Sequence, residues 1–345
     1  MGFQHESTLA GYARAAVDLK IRMTEYTATA AFTDYVRTWL KVRLADDAAN
    51  TIPVTDVTVR DFAQYAALVW QHGESYVVAP AMTAIVAAAA SCLDLTGEVL
   101  TDDIAPTDAG VLFFPEPVYQ RDPDGRIHSI GAITWSRAIP APAAGAATPG
   151  WIVAGWADFG DPHDPASAEL RADLARLPHQ AGRFGPYLLV DIDRLPIGEP
   201  VHGVTWNPDD DREWHTAPNG RYVIDTTATS TLVASRLAYA FWRIQAQPLA
   251  TVVAPPLDRH ARRRAERASI THGTRVVMLR RTSQAADRGE GDAKWHYRVR
   301  FAVRGHWRRL HDKDGRPYRI WINAYIKGPD GAPLLHGEKV AVLAR

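Results

Sequence analysis

Histidine, arginine, tryptophan and tyrosine crowd into one stretch near the C-terminus, VRGHWRRLHDKDGRPYRIWINAYIKGP at residues 303–329. Guanidinium groups fork onto phosphate oxygens, and exposed rings offer platforms for unstacked bases. The side chains of Arg304, His306, Trp307, Arg308, Arg309, Tyr325 and Lys327 therefore suit single-stranded RNA better than a duplex groove. Upstream, WHYRVRFAVRGHW alternates with period two, which puts Trp295, Tyr297, Val299, Phe301 and Val303 on one face and His296, Arg298, Arg300, Ala302 and Arg304 on the other. One face reads as core and the other as cationic. The candidate nucleic-acid contacts are thus Arg298, Arg300, Arg304, His306, Trp307, Arg308, Arg309, Tyr325 and Lys327.

Three readings stay open for this stretch. It is a solvated sheet edge whose tryptophans fill core, a surface that binds RNA, or a metal-free ribonuclease. The last would draw an acid and a base from His296, His306 and His311, with Arg304, Arg308 and Lys327 on the developing charge. Residue types do not establish a geometry, so no catalytic residue is assigned.

Signatures of common enzymes are missing. The chain has no phosphate-cradling G-x-x-x-x-G-K-[ST], no G-x-G-x-x-G opening a helix, no H-E-x-x-H and no G-x-S-x-G. Asp161, His163 and Asp164 in GDPHDP have metal-ligating types, but the flanking Gly and Pro fit a surface turn better. The acids of NPDDDREWH, residues 207–215, read as solvated. No metal and no cofactor is expected.

Charge is distributed unevenly. The whole chain of 345 residues balances 39 Lys and Arg against 39 Asp and Glu. Residues 257–345 carry 21 Lys and Arg against 9 Asp and Glu, a net +12 that leaves −12 on the remainder. Such asymmetry points to nucleic acid or another acidic partner for the basic part. A basic tail docked on the acidic body is the alternative.

The elements that must position these groups follow from periodicity. Phe32, Tyr35, Val36, Trp39 and Leu40 recur at helical spacing, as do Val59, Phe62, Tyr65, Ala66, Val69 and Trp70, so residues 1–96 are expected to form a helical domain with Pro53 and residues 73–80 as connectors. Residues 97–250 read as a central α+β domain. Short apolar runs there, with Asp124–Gly125 between two of them, predict a small antiparallel sheet, and a helix within TTATSTLVASRLAYAFWRIQAQP covers it. Its expected caps are residues 227–230. The Pro/Ala/Gly run at 138–150 is expected to be a mobile loop. DRHARRRAERA is a basic helix, polar nearly all round, within a linker at 251–268; it either joins units or binds something. Residues 269–345 are expected to form a compact basic, β-rich C-terminal module of the α+β kind. The fold class expected is therefore α+β in three units.

Cys92, the one cysteine, excludes a disulfide framework and reads as a small buried apolar residue. The N-terminus lacks a basic segment followed by an apolar core, and the longest apolar run, 81–93, is too short to span a bilayer. A cytoplasmic protein with no membrane partner is expected.

The segment VRGHWRRL…YRIWINAYIKGPDGAPLL resembles a C-terminal element of phage, plasmid and actinobacterial proteins, in which a basic-Gly-His-Trp-Arg core precedes a Trp-containing strand. DAGVLFFPEPV followed by IGAITW resembles the central β region of the same group. Among named families the layout is similar to the type V-A anti-CRISPR proteins that act on production of the effector nuclease, including its transcript. The resemblance implies a mobile-element regulator with a host-defence target. RNA or a ribonucleoprotein would meet the C-terminal module, and a protein partner would meet the N-terminal and central domains. A protein-interaction module without nucleic acid remains the alternative, and a binding protein is expected rather than an enzyme.

Overall fold

A computed structural model describes Phe3 and residues 6–45, 54–121, 127–138, 149–177, 182–201, 215–216, 222–225, 233–280, 301–303 and 305–327. The chain begins with three helices, α1 (Leu9–Thr27), α2 (Ala30–Ala45) and α3 (Asp56–His72), followed by β1 (Glu74–Val78) and α4 (Pro80–Ser91). Then come β2 (Ala109–Arg121), β3 (Ile127–Ala138), β4 (Gly150–Asp158), α5 (Pro165–Arg176) and β5 (Tyr187–Pro196). After β6 (His215–Thr216) and β7 (Tyr222–Asp225), α6 (Val233–Gln245), β8 (Ala250–Val253), α7 (Arg259–Arg267) and β9 (Thr274–Leu279) follow. Last are β10 (Phe301–Val303), β11 (His306–His311), β12 (Pro317–Ile322) and β13 (Tyr325–Lys327).

One mixed sheet organises these elements, in the order β5-β4-β3-β2-β1-β9-β8, with β7 pairing the far end of β2 and β6 pairing β7. The pairs β2–β3, β3–β4 and β4–β5 are antiparallel, whereas β1 runs parallel to both β2 and β9. This corrects the expected fold class. The sheet is neither small nor wholly antiparallel, and it takes strands from the N-terminal, central and C-terminal parts of the chain. The reason lies in β1. ESYVV is short and sits beside Gly73 and Pro80, so it reads as a connector, yet Ser75 to Val78 are all buried because parallel neighbours flank the strand and helices cover both its faces. A fully buried strand shows no alternation to betray it. Likewise β9, expected in a separate C-terminal module, lies inside the sheet between β1 and β8.

Period two sends neighbouring side chains into two cores. Val77, Val111, Phe113 and Val276 face α1, α2 and α3, where Phe32, Val36, Val59 and Trp70 close the layer. Tyr76, Val78, Leu112, Phe114 and Val277 face α4 and α6 on the other side. The aromatic stripes of α2 and α3 are thus core, with Tyr35 donating to the Leu189 carbonyl at 2.7 Å and Tyr65 bonded to Ser136 at 2.6 Å. Helix α4 is apolar all round because it is packed on both sides, between the sheet and α6. Cys92 departs from its expectation: it is exposed at the α4 C-cap.

Local chemistry sets the ends of the elements. Thr55 and Thr58 form a reciprocal capping box on α3, Asp164 caps α5 ahead of Pro165, and Asp258 caps α7. Pro115 and Pro117 cannot donate ladder hydrogen bonds, and the β2–β3 register shifts between Phe113 and Val118. Residues 122–126, 139–148 and 227–230, which hold the expected hairpin turn, most of the Pro/Ala/Gly loop and the expected caps of α6, lie outside the described residues, as do 281–300.

Candidate functional site

Strands β11 and β12 form a hairpin whose turn is built by Asp312. Its Oδ1 accepts from the amides of Asp314 at 2.8 Å and Arg316 at 2.9 Å, and Gly315 takes φ +76°, where a side chain is strained. The register sets Trp307 opposite Trp321, Arg309 opposite Arg319, Arg308 opposite Ile320 and His306 opposite Ile322. Residues directly opposite share a face, so the hairpin has two distinct sides.

The inner side is fastened to the body. Trp307 donates its indole N–H to the Ala89 carbonyl of α4 at 2.9 Å and meets Tyr239 of α6 edge-on, with ring centroids 6.0 Å apart. Trp321 is 4% exposed, lies edge-on to Trp307 at 5.4 Å and donates to Asn323 Oδ1 at 2.7 Å. Gly305 is a glycine for a plain reason: the Trp321 indole occupies the space that a Cβ would need. Glu98, next to Val99 of the isolated bridge to Pro200, accepts from Arg309 at 2.8 Å and also from Arg319. Arg319 is held again from behind, because its carbonyl accepts from Arg243 Nε and Nη2 at 3.2 and 3.0 Å. Burial raises the Tyr239 hydroxyl pKa, with Glu98 adding to the shift, so this ring stays neutral and acts as packing surface.

The outer side carries His306, Arg308 and Tyr318, all exposed, among the half-buried Leu310, Ile320 and Ile322. Arg308 makes no ion pair among the described residues. The structure thus brings His306 and Arg308 together on the outer face and puts Trp307 and Arg309 on the inner one. Tyr325 and Lys327 lie on β13, paired with Val303 and Phe301 of β10. Arg298, Arg300 and Arg304 lie outside the described residues. Sequence reasoning missed Glu98, Tyr239 and Arg243 as the hairpin's anchors. The available signal was the matched period-two patterns of HWRRLH and PYRIWI, which pair Trp with Trp and Arg with Arg.

Strand geometry also bears on cleavage. His306 and His311 are five residues apart on β11, about 16 Å at the usual rise per residue, and an odd separation turns them to opposite faces. That pair does not flank one scissile phosphodiester.

The other candidate cluster is committed to structure. Asp164 Oδ1 accepts from the Ser167 amide at 3.0 Å, and its Oδ2 accepts from the Ser129 amide and hydroxyl at 2.9 and 2.6 Å. Asp161 accepts from the Tyr119 hydroxyl and from the His163 amide. Both carboxylates are buried, so the turn is an internal fastening rather than a solvated one. Among the described residues no group of three His, Cys, Asp or Glu is arranged to hold a metal ion. Residues 207–214 lie outside the described set. No described helix is long and apolar enough to cross a membrane.

No family model matches the chain, and no curated protein matches it. Among solved structures, the crystal structure of AcrVA2, an anti-CRISPR protein of type V-A, is weakly similar, with a TM-score of 0.37 and 11% identity over 88% of this chain and 97% of that one. At that score the likeness carries no argument about function.

Proposed function

We propose that this chain is an anti-defence regulator of the mobile-element kind that binds RNA, or an RNA-containing assembly, through the outer face of its C-terminal hairpin. The observation that carries the reading is the division of labour across β11 and β12. Two indoles and two guanidiniums fix the inner side on α4, α6 and Glu98, which leaves His306 and Arg308 presented outward on a rigid strand. Because Trp307 is occupied by the body, the contact is to phosphate rather than a stack on that indole. The net +12 of residues 257–345 supports an acidic partner, and the resemblance of the Gly-His-Trp-Arg element to mobile-element proteins supports the anti-defence role. We propose Arg298, Arg300, Arg304, Tyr325 and Lys327 as additional contacts of the same kind.

A second reading is favoured by one observation. Leu310, Ile320 and Ile322 share the outer face with His306 and Arg308, a mixture that also fits a protein surface. Ultraviolet crosslinking in cells followed by sequencing of attached RNA separates the two. The His306→Ala/Arg308→Ala double variant is expected to recover roughly tenfold less RNA, the equivalent of about 1.4 kcal/mol. Equal recovery from the variant and the unaltered chain would remove the hairpin from RNA contact and leave the protein-partner reading.

A further inference from the structure

Helix α7 has a composition that packing does not explain. RHARRRAER contains five arginines, one histidine and one acid, and its only inward residues are Ala261 and Ala265. Those two alanines, four apart, make a narrow seam against α1, where Ala265 meets Val17 and Ile270. The helix is nevertheless well defined. Asp258 Oδ1 accepts from the Ala261 amide at 2.8 Å, and Arg264 pairs with Asp18 of α1 at 2.5 Å. At the other end Ser269 takes φ +57°, its amide donates to the Glu266 carbonyl, and the Ile270 amide donates to the Ala265 carbonyl. These two bonds form a Schellman cap with its apolar contact.

Arg259, Arg263 and Arg267 recur every four residues, so they stack along the side of the helix opposite the alanine seam, with Arg262 beside them. All four are exposed and make no ion pair among the described residues. Glu266 is the one acid on that face. Like charges at this spacing repel, so the arrangement weakens the helix until an anion lies across it. Successive guanidiniums rise by about 6 Å, and a nucleic-acid strand carries one charge per about 3.4 Å of axis. One short helix therefore reaches several phosphates. The choice of arginine throughout, without lysine, suits forked hydrogen bonds to phosphate oxygens.

We propose that the solvent face of α7 is a sequence-indifferent contact surface for a nucleic-acid backbone, formed by Arg259, Arg262, Arg263 and Arg267. It is separate from the hairpin. Helix α7 rests on α1, which covers the Val77 and Val276 side of the sheet, whereas the hairpin rests on α4 and α6 on the opposite side.

The test uses the full chain and a fluorescent 20-nucleotide oligouridylate, with affinity read by anisotropy across a salt series. Each phosphate contact on a single strand contributes about 0.7 to the slope of log K against log salt. The triple variant Arg259→Ala/Arg263→Ala/Arg267→Ala is expected to flatten the slope by about 2 and to weaken binding at low salt. The matching triple lysine variant retains the slope with lower affinity, and thermal melting of both variants checks that the fold is intact. An unchanged slope in the alanine variant, no binding by the unaltered chain, or binding to phosphatidylserine vesicles without binding to oligouridylate would each overturn the proposal. The His306→Ala/Arg308→Ala variant, run alongside, is expected to leave the α7 contribution to the slope in place.

Discussion

Asp158 shows how one side chain makes stability depend on pH. It ends β4 next to the buried Asp161 and Asp164, and its Oδ1 accepts from the Gly160 amide at 2.8 Å. Burial raises its pKa to about 6, against the lowering effect of that amide, with Asp161 and Asp164 adding to the rise. A carboxyl raised in the folded state binds its proton more tightly there than in the unfolded chain, so its contribution is fully present below about pH 4 and is lost as pH rises through 6. Asp158→Asn keeps an acceptor for Gly160 and cannot ionise. We expect the variant to be more stable than the parent at pH 7, by on the order of 2 kcal/mol, with the difference fading as pH falls from 6 to 4. Urea unfolding at pH 4, 5, 6 and 7 measures it, and a constant difference across that range would refute the assignment. Lys20 is the converse case: burial lowers its pKa to about 8 while it donates to the Gly73 carbonyl, so an ammonium is held at the junction of α3 and β1 at neutral pH.

At the scale of elements, the hairpin is held by few but specific contacts, and Glu98 is the one where electrostatics decides. Its side chain is 14% exposed and accepts from two guanidiniums, those of Arg309 and Arg319. Arg319 is itself 15% exposed, so its loss of a partner is costly, whereas Arg309 at 64% recovers water. Glu98→Ala is expected to destabilise the protein by roughly 1–3 kcal/mol. Arg309→Ala should cost under about 1 kcal/mol. Denaturant midpoints compare the two, and equal losses would mean that the pair does not act as described. Helix α7 obeys the opposite logic, since its exposed arginines make no ion pair among the described residues and its position depends on two alanines, a cap and one ion pair of Arg264.

For the whole molecule, the decisive fact is that β1 and β9, about two hundred residues apart in the chain, are hydrogen-bonded neighbours with Ser75 opposite Thr274 and Val78 opposite Val277. Removing residues 257–345 therefore deletes a strand from the interior of the sheet, strips β8 of its partner and uncovers Val77, Val78 and the α4 surface under Trp307. We expect such a truncation to lose near-ultraviolet circular dichroism and cooperative unfolding. A truncated chain with a sharp thermal transition would contradict this placement of β9. Point variants are accordingly the right probes of the hairpin and of α7.

Helix periodicity and turn residues made α2, α3, α6 and the β11–β12 turn legible from the chain alone, because these features depend on neighbours within a few residues. The crowding of cations and rings in the C-terminal segment is read directly from the chain. Which of those cations and rings face outward is not, since Trp307 and Arg309 are turned inward by Ala89 and Glu98, more than two hundred residues away. The parallel pairing of β1 with β2 and β9 was equally hidden, because a strand buried on both faces is defined by its partners and not by its own pattern. Local residue order thus set the elements and the charge they carry, while long-range packing alone decided which faces of them remain open to a partner.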